Sequence, residues 1–358
     1  MKIYNKINIL LIFLFITLTS CAQERSSPQY VWDISIPWGS AVFHTKNAQK
    51  YADAIHRKTQ GRLKINIHAG AVLGIKGPES LRAVGEGIAD GADIAAFQQT
   101  GLEPILGLDA LPFLIDSHEE LALLYEEYRP LLNARLSDRN LIVLYTVPWP
   151  NQNIYVKTPV TQLSQLAGLT IRTYDAQSTV LMTKLGMTPM QMPSADVVPA
   201  LATGALDSTM TSTTSGASQK YWEFLGHIIR SNHLWVTNIF AVNKDKFQKL
   251  SPDIQKIVLD TAQEMQDEFW RISKSDDVKQ LKILTQNGIK VIIPSDQFMA
   301  DMRTAATSMI HTFKHKNPDA EQIIDSFLRK KAAGEARRYD FSAPPPHKAQ
   351  QNKKGDQK

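Results

Sequence analysis

Cysteine is nearly absent from this chain of 358 residues. The one residue of that type, Cys21, cannot form an intramolecular disulfide, and no cluster of Cys and His has zinc-ligand spacing. A disulfide scaffold and a structural zinc module are therefore both excluded. Long apolar runs are also missing. The run Ile7 to Leu18, interrupted by Asn8 and Thr17, would span roughly 18 Å as a helix. That is well short of the ~30 Å hydrocarbon core of a bilayer, so it does not serve as a permanent span. Charge of one sign is lacking where it would count. The formal charge of +5 sits in the two ends, with Lys2 and Lys6 at the start and Lys348, Lys353, Lys354 and Lys358 against Asp356 after Pro344. Between Ala22 and Ala343, 34 basic residues balance 34 acidic ones. Nucleic acid is excluded as a partner on this ground, because phosphate binding needs a basic face on the folded body.

What is present at the start is a basic residue pair, a short apolar run and then Leu18-Thr19-Ser20-Cys21, the layout of a secretory signal. The last four residues resemble a bacterial lipobox, which makes Cys21 the expected lipidation site and places the protein in the periplasm or another extracytoplasmic compartment. An ordinary signal cleaved near Ser20 or Ala22 is the alternative. The only contact with a membrane expected on this reading is the lipid anchor.

The length of 358 residues, 43% of them apolar, exceeds a single compact core and predicts two lobes. Tyr30 to Ile36 alternates as a strand, and a helix over His44 to Thr59 stops at Gly61. Leu63 to His68 is a strand, Pro78 to Ala89 a helix, and Ala92 to Phe97 a buried strand. This alternation predicts α/β architecture with mostly parallel, doubly wound sheets, whose ligands sit beyond the carboxyl ends of the strands. Those ends are Pro37-Trp38-Gly39-Ser40, Ala69-Gly70 and Gln98-Gln99-Thr100. A helix over His118 to Leu136 and a strand over Leu141 to Val147 lead to the linker Pro148-Trp149-Pro150. A second unit of the same kind follows. From Ser251, helical periodicity runs to about Gln286, roughly 50 Å, long enough to lie across both lobes. The expected division is a signal segment 1–21, one lobe from 30–149 plus about 238–275, a second from 150–237 plus about 276–335, and a disordered tail over 340–358.

The order of these motifs resembles the DctP-type substrate-binding proteins of TRAP (tripartite ATP-independent periplasmic) transporters. The resemblance runs from about Val31 to Ile293 and rests first on Gly61-Arg62-Leu63, Leu73-Gly74, Gly87-Ile88-Ala89-Asp90 and Leu111-Pro112-Phe113-Leu114. In the second unit it rests on Leu166-Ala167-Gly168-Leu169-Thr170-Ile171-Arg172, Leu185-Gly186-Met187-Thr188-Pro189 and Ala200-Leu201-Ala202-Thr203-Gly204-Ala205-Leu206-Asp207. The resemblance implies a two-lobed periplasmic binding protein fold, type II-like, with crossing strands and a long helix joining the lobes. It also implies a non-enzymatic receptor that captures a small organic acid and delivers it to small and large membrane permease subunits, with no cofactor.

Arg172 matches the arginine that pairs with the ligand carboxylate in this family, a task suited to its permanently charged planar fork. The chain departs from the family in two places. Trp149-Pro150-Asn151-Gln152-Asn153 lacks the second cation that many relatives carry there, and Thr211 stands where an asparagine is frequent. Trp38, Trp149 and Trp235 are expected to border the cleft as aromatic walls. His44, Gln98, Asn151 and Asn238 are further candidate contacts, with Asn153, Tyr174 and Asp175 near the same rim. The ligand these features suggest is a monocarboxylate with an aromatic or apolar body.

Other signals are weaker. His311 and His315 are four apart on a helix but have no third metal ligand, and Gly85-Glu86-Gly87 lies at a helix end, unlike a dinucleotide turn. Ser208 and Ser212 have no nucleophile elbow. A binding-protein fold used as a sensor for a membrane signalling partner is the alternative function.

Overall fold

The computed structural model describes residues 27–338. The signal segment with Cys21 and the tail over 340–358 lie outside the described residues. The strands are β1 (Tyr30–Ile36), β2 (Leu63–Ala69), β3 (Gly91–Ala95), β4 (Leu141–Pro148), β5 (Asn153–Val156), β6 (Thr170–Thr173), β7 (Thr188–Gln191), β8 (Ser208–Thr211), β9 (His227–Ile229), β10 (Thr237–Asn243) and β11 (Lys290–Ile292). The helices are α1 (Phe43–Lys58), α2 (Ser80–Gly85), α3 (His118–Asp138), α4 (Ala176–Lys184), α5 (Val197–Ala202), α6 (Thr213–Ser218), α7 (Lys244–Gln248), α8 (Pro252–Gln286), α9 (Asp296–Lys316) and α10 (Pro318–Ala332).

These elements build two sheets, ordered β2-β1-β3-β10-β4 and β11-β9-β5-β8-β6-β7. The fold is the expected two-lobed α/β type, with one qualification: the sheets are mixed. β10 runs antiparallel to both β3 and β4, and β5 runs antiparallel to both β8 and β9. The reason is the path of the chain. It enters the second lobe after β4 and returns along β10, so the returning strand meets the first sheet head to tail. All seven residues of β10 are buried, as the middle strand of a covered sheet requires. Its run Ile239-Phe240-Ala241-Val242 lacks the period-2 alternation that marks a half-exposed strand.

The two crossings lie side by side. Trp149 N–H donates to Val236 O at 2.9 Å and Gln152 N–H donates to Leu234 O at 3.0 Å, so the passages between lobes form one hydrogen-bonded ribbon. The third connection is α8. Ser251 precedes it and Pro252 takes its first turn, where a missing N–H costs nothing. Its first half packs Ile254, Val258, Ala262 and Phe269 into the core of β4 and α1, and its far end places Leu284 in the second lobe. Thr213 and Thr214 on α6 donate to Asp277 and Asp276 of α8 at 2.7 and 2.6 Å.

Several boundaries move. The helix expected over Pro78–Ala89 is α2 with a 3₁₀ turn before it, ending at Gly85 ahead of Gly87, whose φ of +74° suits the left-handed region. The region after β11 is two helices, broken at Asn317-Pro318. The second of these does not belong with the second lobe as the division at 276–335 had it. Ala320, Ile324 and Phe327 of α10 are buried in one cluster with Leu121, Leu132 and Leu136 of α3 in the first lobe. Basic and apolar stripes on α10 give its amphipathic character but not its docking partner.

Candidate functional site

The carboxyl ends of β1, β3, β4, β6 and β8 converge on a cavity between the lobes, with about 330 Å³ of atom-free space. Trp38, Phe97 and Gln98 come from the first lobe, Trp149, Gln152 and Val236 from the crossing ribbon. Arg172, Tyr174, Ser194, Thr211, Ser212 and Ser215 complete the wall from the second. The strand-end rule therefore located the cavity correctly, because loops leave a sheet where side chains can project beyond it.

Arg172 is the only charged side chain on that wall. It sits on β6, paired with β7 and β8, and is 4% exposed. Its Nε donates to Met192 O at 3.1 Å, and its Cζ lies 5.3 Å from the centre of the Tyr174 ring. Among the described residues it forms no ion pair. Burial pulls its pKa down from the usual value, while Tyr221, Tyr174 and Asp175 act the other way. The fixed Nε bond directs the guanidinium, and the charge lies on the cavity wall with no carboxylate at ion-pair distance, Asp175 acting on it only at longer range.

Aromatic rings form much of the remaining wall. Trp38 and Trp149 meet edge to face, 5.0 Å between centres, and Phe97 of the first lobe meets Tyr174 of the second at 4.8 Å. The latter contact shows the lobes closed on each other. Hydroxyls complete the lining: Ser212 caps α6 by accepting from Ser215 N–H, and Ser194 accepts from Gln219 Nε2 at 2.6 Å. Of the lining residues, Tyr174 has a buried Oη without a partner, whereas the Trp38 indole N–H is turned toward the buried Asp93 carboxyl and Gln98 Oε1 packs against Gly77.

Of the residues singled out from sequence, Arg172, Trp38, Trp149, Gln98, Thr211 and Tyr174 line the cavity. His44, Asn151, Trp235 and Asn238 do not. His44 and Asn238 stand behind Trp149: the His44 ring is 4.2 Å from the indole, and Asn238 Oδ1 accepts from Trp149 Nε1 at 2.8 Å. Both therefore orient a wall residue. His44 Nδ1 lies 3.6 Å from Asp93, whose carboxyl burial raises to about 7. Trp235 packs edge to face on His118 at 4.6 Å, inside the first lobe's core. Asn151 is in the linker, half-buried, away from the lining. Phe97, Gln152, Ser194, Ser212, Ser215 and Val236 were not anticipated. The N-capping pattern of Ser212 before Thr213 was the one local signal for that part of the wall.

Residues 35–317 match the DctP family, described as bacterial extracellular solute-binding protein, family 7. The 2,3-diketo-L-gulonate-binding periplasmic protein YiaO of Escherichia coli is 27% identical over 257 residues, covering 70% of this chain and 77% of its own. A TRAP solute-binding protein from a marine metagenome, specific for pyroglutamate and solved with it bound, is 30% identical with a TM-score of 0.80. The superposition covers 84% of this chain and 98% of that one. A Bordetella pertussis extracytoplasmic solute receptor binding pyroglutamic acid is 26% identical with a TM-score of 0.81, covering 83% and 99%.

Proposed function

Since the chain belongs to the DctP family of bacterial extracellular solute-binding proteins, we propose that it is the extracytoplasmic receptor of a TRAP transporter for a compact monocarboxylate with a flat or apolar body. Arg172 carries this reading. A guanidinium buried near the end of a strand, with no ion pair of its own among the described residues, has its desolvation cost only partly offset by Met192 O, Tyr174, Tyr221 and Asp175. A ligand carboxylate supplies the missing charge in a bidentate geometry. The absence of a second cation on the wall argues against a second carboxylate on the ligand, because a buried unpaired anion is equally costly.

The rest of the ligand meets Trp38, Trp149, Phe97 and Tyr174, which suit a flat body, with hydroxyls and the Gln98 and Gln152 amides for its polar edge. Pyroglutamate, the ligand of two structural relatives, has this form: one carboxylate on a small flat ring. It is the first acid to test. Binding stabilises the closed arrangement because only that arrangement contacts the ligand from both lobes. The closed form is then what the membrane permease subunits receive. Lipidation at Cys21 would hold the receptor at the membrane, and a Cys21→Ala substitution that leaves the protein in the membrane fraction would remove that part of the proposal.

Thermal melting of purified protein against pyroglutamate, aliphatic mono- and dicarboxylates, sugar acids and aromatic acids tests the reading. Ligand at a hundredfold above Kd adds about 2.7 kcal/mol, a shift of several degrees. A monocarboxylate that shifts the wild type but not Arg172→Ala supports it. Shifts by dicarboxylates alone, or an equal response from Arg172→Ala, would overturn it.

A further inference from the structure

Beside the inner cavity lies a second, wider space that opens to solvent, with about 990 Å³ free of protein atoms when the adjoining solvent is counted. The two share four wall residues, Trp38, Trp149, Ser194 and Ser215, so they are neighbouring compartments of one cleft. Arg172 belongs to the inner compartment only. The outer space is thus within reach of a ligand whose carboxylate sits on Arg172 and whose remote end lies against the shared residues.

The outer lining is distinctive in what it lacks. None of its side chains is charged. Beside the larger Pro37, Trp38, Val42, Val198 and Gln219, its first-lobe wall includes Gly39, Ser40, Ala41 and Gly70, and its second-lobe wall Ser194, Ala195, Ser215 and Ser218. Small residues on both sides leave the space open where larger ones would fill it. A charged extension would find no partner there, whereas methylene and amide groups meet Trp38, Val198 and serine hydroxyls.

We propose that this outer space is a second subsite of the same cleft, which accepts an uncharged acyl or alkyl extension of several heavy atoms at the end of the acid remote from its carboxylate. The proposal rests on the carboxylate reading above and widens the substrate class from compact acids to acids bearing a neutral tail. Because the subsite lies outside the inner cavity, such a tail does not obstruct the contact of Phe97 with Tyr174 that closes the lobes.

The experiment measures Kd for pyroglutamate and for N-acetyl-, N-butyryl- and N-hexanoylglycine on purified protein by calorimetry. Two variants narrow the outer space, one from each lobe: Gly39→Trp, where an added Cβ meets nothing within 4 Å, and Ser218→Trp on exposed α6 surface. The expected result is that hexanoylglycine binds the wild type within threefold of acetylglycine or more tightly. Each variant should weaken hexanoylglycine by tenfold or more while acetylglycine and pyroglutamate stay within threefold, which also reports that the variants fold. A tenfold loss on lengthening the acyl chain in the wild type overturns the proposal, as do variants that treat long and short acids alike. Binding of pyroglutamate without any acylglycine also overturns it but leaves the carboxylate reading standing; binding of no acid at all removes both.

Discussion

Gln177, on the first turn of α4 in the second lobe, donates its Nε2 to Gly107 O in the first lobe at 2.7 Å. The approach is so close that a Cβ on Gly107 would lie 2.3 Å from that nitrogen and 2.9 Å from Thr100 Cγ2. The backbone at 107 is not in the left-handed region, so conformational freedom does not explain the glycine; the interlobe contact does. Gly107→Ala should therefore impede closure. A lost hydrogen bond of about 1 kcal/mol corresponds to roughly a fivefold rise in Kd, with added steric cost. Gln177→Ala should give the fivefold effect without the clash. Ligand titration of both variants checks this, and unchanged Kd values would show that the contact does not contribute to closure.

Asp109 lies close to this contact, buried, with Tyr125 Oη donating to Oδ2 at 3.0 Å and the Thr237 hydroxyl also near the carboxyl. Burial raises its pKa to about 7, and Asp175 across the lobe boundary pushes the same way. A carboxyl raised from 3.8 holds its proton in the folded state after the unfolded chain has lost it. Its contribution to stability is thus complete below about pH 4 and is lost as pH rises to about 7. Asp93, also raised to about 7, and Asp175, raised to about 6, act in the same direction. His118 and His233, lowered to about 4 and 3 by burial, act oppositely on the acid side. Asp109→Asn removes one titration. Its stability relative to wild type should increase between pH 5 and 8 by about 2 kcal/mol. Denaturant titrations at the two pH values test it, and parallel changes in both proteins would refute it.

Phe327 of α10 is wholly buried against the first lobe. Truncating a buried phenylalanine costs about 3–5 kcal/mol, so Phe327→Ala should lower Tm by several degrees. Because α10 packs on α3 and not on the cavity, the ligand Kd of the folded fraction should stay unchanged. A large change in Kd would mean that the helix helps set the lobe arrangement.

How much of this was legible beforehand follows from the range of each interaction. β1 was placed to the residue, and the long α8 to within one residue at its start, because each reads its own periodicity and caps. Arg172, Trp38, Trp149, Gln98 and Thr211 fall on the cavity wall because strand ends announce themselves in an α/β chain. His44, Asn238 and Trp235 were misplaced for one reason: a strand-end or helix-start position fixes where a residue is along the chain, not which way its side chain points. The mixed sheets and the docking of α10 depend on contacts between segments far apart in the chain, as in Asn238 opposite Val147 or the pairing of Arg135 with Asp319. No local pattern encodes such pairings.

A buried cation without an ion pair is a cost the empty receptor carries for the sake of its ligand. Replacing Arg172 by a neutral residue of similar reach removes that cost, since an unpaired buried charge destabilises while a neutral amide needs only hydrogen bonds. Glutamine in its place could still donate to Met192 O, the acceptor that Arg172 Nε now uses. Arg172→Gln should therefore melt at or above the wild-type temperature when no acid is added, yet show no shift when one is. The two measurements separate roles that a single binding assay merges. A variant that melts well below wild type without acid would mean that the arginine is held for the fold, and a retained ligand shift would mean that the carboxylate binds elsewhere. Only stability without response fits a residue kept for recognition.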